Sequence, residues 1–239
     1  MKRSNKINKM NTVVLFTCEH ASNKIPVKYN QYVTVSEKIL NSHRGYDAGA
    51  ADFAKLFSRN IKSKLFLCKF SRLLIDANRS LTNPSLFSEY TGTLAVEVKK
   101  EIISRCYLPY RNQVETYIEN QIEKFHVIHI SVHTFVPVLN GIERKADIGL
   151  LYDPSRTNEK YICSGLSRMI FHHTGFRVRK NYPYRGISDG FTSYLRKKYK
   201  TDYIGIEFEI NQKHLIDKRV ESSFSSALLQ GLKKGLLDE

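Results

Sequence analysis

The chain predicts an α/β fold with a mostly parallel sheet covered by helices on both faces. Three observations carry this. Short apolar, β-branched runs alternate with longer amphipathic stretches. No internal repeat, low-complexity tract or linker breaks the alternation. At 239 residues the chain is long enough to bury a substantial core without disulfides.

The strand-like runs are TVVLFTC (12–18), KLFLCKF (64–70), HVIHISVH (126–133), DIGLLY (147–152), FRVRK (176–180) and YIGIEFEI (203–210). Between them, AGAADFAKLFSRNI (48–61) spaces its apolar residues at helical intervals. VKKEIISRC (98–106), LPYRNQVETYIENQIEKF (108–125), EKYICSGLSRMIFHHT (159–174) and residues 220–237 do the same, and GFTSYLRKKYK (190–200) holds a shorter helix. Pro154 and Ser155 are placed to start the helix over 159–174, and Gly175 to stop it. The expected division is a basic tail over residues 1–11 and one domain over 12–239.

Composition narrows the function classes. The formal net charge is +15, which admits an anionic partner. However, the basic residues are scattered, and the densest runs, MKRSNKINKM and YLRKKYK, are short and lack the interleaved aromatics of a nucleic-acid module. A solvated Lys-rich surface is the expectation, with a basic nucleic-acid-binding protein as the rival class. The four cysteines show no CxxC and no paired spacing, which argues for thiols and a reducing cytoplasm. The apolar run near the start is interrupted by Glu19 and His20 where a signal peptide would be cleaved. No stretch approaches the length of a membrane span.

In a sheet of this kind ligands bind beyond the carboxyl ends of the strands. Glu19 and His20 end the first strand, and His133 ends HVIHISVH. Period-two alternation puts residues 129, 131 and 133 on one face and 126, 128, 130 and 132 on the other. His126 and His129 read as structural. Two histidines at two strand ends can share a divalent ion, and a catalytic zinc usually takes about three protein ligands and leaves one position open. Neither HxxE nor HxxxH begins at His20, where Asn23 stands in the place of the Glu, so the third ligand must come from elsewhere. Asp47 in SHRGYDAGA, immediately before the first long helix, is the nearest acid placed to reach the same sheet edge; Glu19 and His43 are alternatives, and Asp47 could instead be a helix N-cap.

SRLLIDANRS (71–80) follows the second strand. Its Asp-x-Asn-Arg cluster is either a turn with a capping Asp or a substrate clamp, with the fork of Arg79 on a carboxylate and Asn78 beside it. Glu207 and Glu209 share one face of YIGIEFEI, and Ile204, Ile206, Phe208 and Ile210 fill the other. Carboxylates that far into an apolar strand must meet a cation, a polar cavity or water. The choice is a wet edge strand or a general base. NYPYRGISDG (181–190) is either a surface loop or the carrier of a second anion clamp, Arg185.

Together and in order, CEHASN (18–23), YDAGA (46–50), SRLLIDANRS (71–80), YLPYRNQV (107–114), SVHTFVPV (131–138), DIGLLYD (147–153), NYPYRG (181–186) and IEFEINQ (206–212) resemble the N-formylglutamate amidohydrolase family, closest to its CEHASN-type branch. The resemblance spans residues 12–216. It implies a single three-layer α/β/α domain with a mostly parallel mixed sheet, phosphorylase/hydrolase-like and similar to zinc carboxypeptidases and aspartoacylases. It also implies metal-dependent hydrolysis of the amide bond of an N-acylated amino acid, in the first place an N-formylated one such as N-formylglutamate.

By that similarity His20, Asp47 and His133 hold the metal, zinc or another divalent ion, and Glu209 is the catalytic glutamate. Asn78 and Arg79 hold the substrate, with Arg79 also near the reacting carbonyl, as Arg72 would be. Arg185 and Glu207 are further substrate contacts. The chain departs from the family at Arg111, where PYH is common, and at Gln212, where the formylglutamate-specific branch tends to have Arg. A carboxypeptidase-like or cell-wall-amidase-like zinc hydrolase on a peptide is the alternative.

Overall fold

Runs of Val, Ile and aromatic residues form the strands, and the segments of helical spacing form the helices. The computed structural model describes residues 12–220 and 222–237; the basic tail expected over 1–11 lies outside them. In chain order the elements are β1 (Thr12–Cys18), α1 (Glu37–Leu40), α2 (Ala50–Ile61), β2 (Lys64–Leu67), α3 (Val96–Ile102), α4 (Leu108–Ile122), β3 (His126–Phe135), β4 (Val138–Leu139), β5 (Ile142–Glu143), β6 (Ile148–Leu151), α5 (Thr157–Thr174), β7 (Val178–Lys180), α6 (Phe191–Lys198), β8 (Tyr203–Asn211), β9 (Leu215–Ile216), β10 (Arg219–Val220) and α7 (Ser222–Leu237). Six strands make one sheet in the order β2-β1-β3-β8-β6-β7. Every neighbouring pair is parallel except β6 and β8.

Strand alternation builds the three layers. Val14, Phe16, Ile128, Ile130, Val132 and the run Ile204, Ile206, Phe208, Ile210 point to one face. There they meet Phe53 and Phe57 of α2, Leu166 and Ile170 of α5, and Leu228 and Leu232 of α7. The buried residues of α2 fall at Ala50, Phe53, Ala54 and Phe57, one helical stripe. Each fully buried Phe there is worth about 1.5–3 kcal/mol. Leu15, Val127 and Tyr203 point to the other face, against Val114 and Ile118 of α4 and Phe191 and Leu195 of α6.

Two boundaries and the place of one strand bear on the expectation. The second strand stops at Leu67, not residue 70. Ser71 draws the chain off the sheet, its N–H donating to Lys24 O at 2.8 Å and its hydroxyl to Gly45 O at 2.8 Å. α5 starts at Thr157, because Ser155 is taken up by Asp153: its N–H and hydroxyl both donate to Asp153 Oδ1. Gly175 ends that helix with φ of +69°, as expected. Finally, β8 is central, between β3 and β6, so Glu207 and Glu209 are not on a wet edge strand.

Candidate metal and catalytic site

The alternation that fills one face with hydrocarbon puts a file of polar side chains on the other. Thr17 pairs in register with Ser131, Ser131 with Glu207, and His133 with Glu209. Ser131, His133, Glu207 and Glu209 therefore stand together at the carboxyl end of the central strands, all of them buried. His129, one step earlier, is fully buried between Thr17 Oγ1 at 2.7 Å and the Tyr203 hydroxyl at 2.6 Å. Burial holds its imidazole down to about 4, so it is neutral at physiological pH and structural.

His20, at the end of β1, and Asp47, on the loop before α2, complete the site. One ligand atom from each of His20, Asp47 and His133 lies within 4.8 Å of the other two. The shared point is Asp47 Oδ2, which is 2.9 Å from His133 Nδ1 and 3.4 Å from His20 Nδ1. The outer nitrogens are also engaged. His20 Nε2 is 2.7 Å from Asp76 Oδ1, and His133 Nε2 is 3.2 Å from Glu19 Oε2. An outer nitrogen that donates to a carboxylate leaves the inner one with a lone pair for an ion.

Asp47 caps nothing: Gly49, at φ +77°, is the N-cap of α2 and no side chain caps it. The Asp47 carboxylate is turned instead to His133, His20 and Arg72, the last bonded to Oδ1. Glu19 is a supporting group: it is fully buried and accepts from the Tyr110 hydroxyl at 2.7 Å, from the Ser131 hydroxyl and from His133. His43, the other alternative, is exposed on its loop and stands outside the cluster.

These residues fit a metal ion. His20 Nδ1 is buried without a hydrogen-bond partner, 3.4 Å from Asp47 Oδ2. Two imidazoles and one carboxylate suit zinc and neighbouring divalent ions. The charge balance agrees. Burial alone would pull the His133 imidazole down, but Asp47 and Glu19 hold it protonated well above its usual range. Burial likewise opposes ionisation of Asp47, Glu19 and Asp76, yet their cationic neighbours keep all three well below the usual carboxylate range. An ion bound there would displace the His133 proton from Nδ1 and supply positive charge in its place.

Glu209 is the exception among the acids. Burial, reinforced by the Asp47 and Glu207 charges against those of His133 and Arg72, pushes its carboxyl up to about 8. Its Oε2 is buried and without a partner. Glu207 accepts from the Thr192 hydroxyl at 2.8 Å.

The sequence profile described as N-formylglutamate amidohydrolase matches residues 12–216. The chain belongs to the N-formylglutamate amidohydrolase family. It is similar to the solved structure of the gene product Atu2144 from Agrobacterium tumefaciens, at 28% identity and a TM-score of 0.77, covering 96% of this chain and 91% of that one. An N-formylglutamate amidohydrolase from Ralstonia eutropha JMP134 shares the fold at 18% identity and a TM-score of 0.72, covering 95% of this chain and 92% of that one. No curated protein matches the chain. Family membership makes the activity class amidohydrolase. No helix among the described residues is long and apolar enough to cross a membrane.

Of the remaining residues assigned by resemblance to the N-formylglutamate amidohydrolases, Asn78 and Arg79 are engaged beside Glu207 and Asp76, and Arg185 is not brought to the cluster by any contact among the described residues. The Asn78 amide oxygen accepts from Phe191 N at 2.7 Å. Gly190 is packed so closely that an added Cβ would lie 3.1 Å from Glu207 Oε1 and 3.3 Å from Asn78 Oδ1. Arg79 donates to Asp189 O at 2.6 Å, and its Nε lies 3.8 Å from Asp76 Oδ2. Arg185 is exposed on its loop.

Arg111, the departure from the family's PYH, is a buried brace. It donates to Ala77 O and Arg79 O and lies over the rings of Phe191, Tyr194 and Tyr107. Asp76 was readable only as a turn cap, a role it does fill by accepting from Asn78 N at 2.9 Å; nothing local signals its contact with His20. Ser131, Tyr110 and Thr192 carry no sequence signal beyond strand or helix parity.

Proposed function

We propose that the protein is a metal-dependent hydrolase that cleaves the amide bond of N-acylated amino acids, N-formylated ones such as N-formylglutamate in the first place. The observation that carries this reading is the buried His20–Asp47–His133 cluster one strand away from Glu209, a protonatable carboxyl with a free oxygen. The cluster would hold a divalent ion, zinc by the character of its donors, and a bound ion supplies Lewis acidity toward the amide carbonyl and lowers the pKa of water.

The chain's own residues do the rest. Glu209 takes the proton of the attacking water on Oε2 and returns it to the leaving nitrogen. A carboxyl raised toward neutrality is suited to both transfers, because it exchanges a proton in either direction at little cost. Asp76 and Glu19 fix the ring orientations of His20 and His133. Arg72 keeps Asp47 ionised and brings positive charge to the developing oxyanion. Asn78, Glu207 and the Arg79 turn form the wall against which the substrate is positioned.

The test is hydrolysis of N-formyl, N-acetyl and N-carbamoyl amino acids by zinc-loaded and chelator-treated protein. Release of the free amino acid that disappears on chelation and returns with zinc supports the reading. Equal rates with and without chelator overturn it.

A further inference from the structure

An acyl-amino acid carries a carboxylate next to the scissile bond, and an enzyme for that class needs a cation to hold it. The sequence offered Arg79 and Arg185. The structure gives Arg79 to Asp189 O and the neighbourhood of Asp76, spends Arg72 on Asp47, buries Arg111 among aromatic rings and carbonyls and leaves Arg185 on an exposed loop. Of the other guanidiniums at this end of the sheet, Arg44 is paired with Glu89, Arg177 donates to Lys145 O, and Arg179 lies exposed on the edge strand over the Tyr182 ring; Arg144 is left.

Arg144 lies between β5 and β6. Its backbone is pinned to the site strands: its N–H donates to Pro137 O at 2.7 Å, and Asn211 Nδ2 donates to Arg144 O and Ala146 O, each at 2.8 Å. Its guanidinium sits over Phe135, 5.8 Å from the ring centroid, and over Tyr184, at 5.2 Å, with Nη1 donating to the Tyr184 hydroxyl at 3.2 Å. Phe135 and Asn211 are paired across β3 and β8, two residues beyond the paired His133 and Glu209. That places the Phe135–Asn211 step about 6–7 Å beyond the proposed reacting pair, on the same strand face.

The loop bearing Tyr184 crosses this face directly. A Cβ on Gly149 of β6 would lie 1.9 Å from Tyr182 O and 3.1 Å from Glu209 Cβ, so only glycine lets the loop pass beside Glu209. No carboxylate among the described residues is in ion-pair range of Arg144. It is thus half-buried, held by two rings and one hydroxyl, with charged N–H groups to spare.

We propose that Arg144 is the specificity anchor of this site and binds the α-carboxylate of the acyl-amino acid through its guanidinium fork, with Phe135 and Tyr184 fixing the plane of the fork. This rests on the hydrolase reading above. It makes the site selective for substrates with a free carboxylate beside the scissile amide, over chains extended beyond that residue.

The test compares N-formylglutamate, its γ-amide and its α-amide on the zinc-loaded parent, Arg144→Gln, Arg144→Lys and, as a charge control, the exposed neighbour Lys145→Gln. Arg144→Gln should raise KM for the two substrates that keep the α-carboxylate about tenfold to a hundredfold, as expected for loss of hydrogen bonds to a charged group. The α-amide should turn over no worse than with the parent. Arg144→Lys should fall between, and Lys145→Gln should match the parent. Thermal melts establish that the variants fold.

An unchanged KM for N-formylglutamate in Arg144→Gln overturns the proposal. So does an equal rise for the α-amide. A parent that hydrolyses none of the three, and no other N-formyl, N-acetyl or N-carbamoyl amino acid, overturns the hydrolase reading instead. The anchor is then read from calorimetric binding of N-formylglutamate, and equal affinity in parent and Arg144→Gln overturns it.

Discussion

His133 of β3 and Glu209 of β8 are paired directly across two parallel central strands, with their side chains on the same polar face. One belongs to the cluster that can hold a cation and the other is the carboxyl with a free oxygen. The pairing fixes their separation through backbone hydrogen bonds, so neither can drift from the other without breaking the sheet. The proposed chemistry follows from this register.

Glu209→Gln tests the proton-transfer role. The amide fills the same space and cannot take a proton. The variant should keep its metal and lose about a hundredfold to ten-thousandfold in kcat. Metal content and steady-state kinetics on one preparation check this, and parental turnover would remove Glu209 from the mechanism.

Glu19→Gln and Asp76→Asn test the support of the two imidazoles. Each exchanges a carboxylate that faces an outer histidine nitrogen for a neutral amide of the same size. Zinc affinity should fall about tenfold to a hundredfold in each, read by competition with a chromophoric chelator. Parental affinity in both would mean the carboxylates do not act through the histidines.

His129 predicts a pH dependence of stability. Its folded value is about 4 against 6.5 for the free side chain. Between those values the unfolded chain binds a proton that the folded chain does not. Stability from this group is therefore full above pH 6.5 and lost as the pH falls toward 4, by about 3 kcal/mol in total. Urea unfolding of parent and His129→Gln across pH 4–7 should show the parent falling more steeply. Parallel curves would contradict the assignment.

Much of this was legible in the sequence because it depends on periodicity. The strand parity of HVIHISVH puts Ser131 and His133 on one face of their strand, and that of YIGIEFEI puts Glu207 and Glu209 on one face of theirs; the register of β3 with β8 makes the two faces one. What parity cannot give is which strands adjoin. Alternation alone leaves Glu207 and Glu209 open to a wet edge strand or a site; the place of β8 between β3 and β6 removes the edge. Asp47 looked like a helix cap because it stands three residues before α2; only the fold turns it toward two histidines from other strands.

Asp76, Glu19 and Arg144 show the deeper limit. Their partners His20, His133 and Tyr184 are engaged by side-chain geometry. Asp76 and Arg144 reach theirs from distant segments. Glu19 reaches His133 from a neighbouring strand, and it read as a rival ligand because it precedes His20.

The most direct measurement is calorimetric titration of metal-stripped protein with zinc, for the parent and for His20→Ala, Asp47→Ala and His133→Ala. The account predicts one equivalent bound by the parent, with binding lost or weakened by orders of magnitude in every variant. A parent that binds no zinc, or variants that bind it as the parent does, would contradict the account.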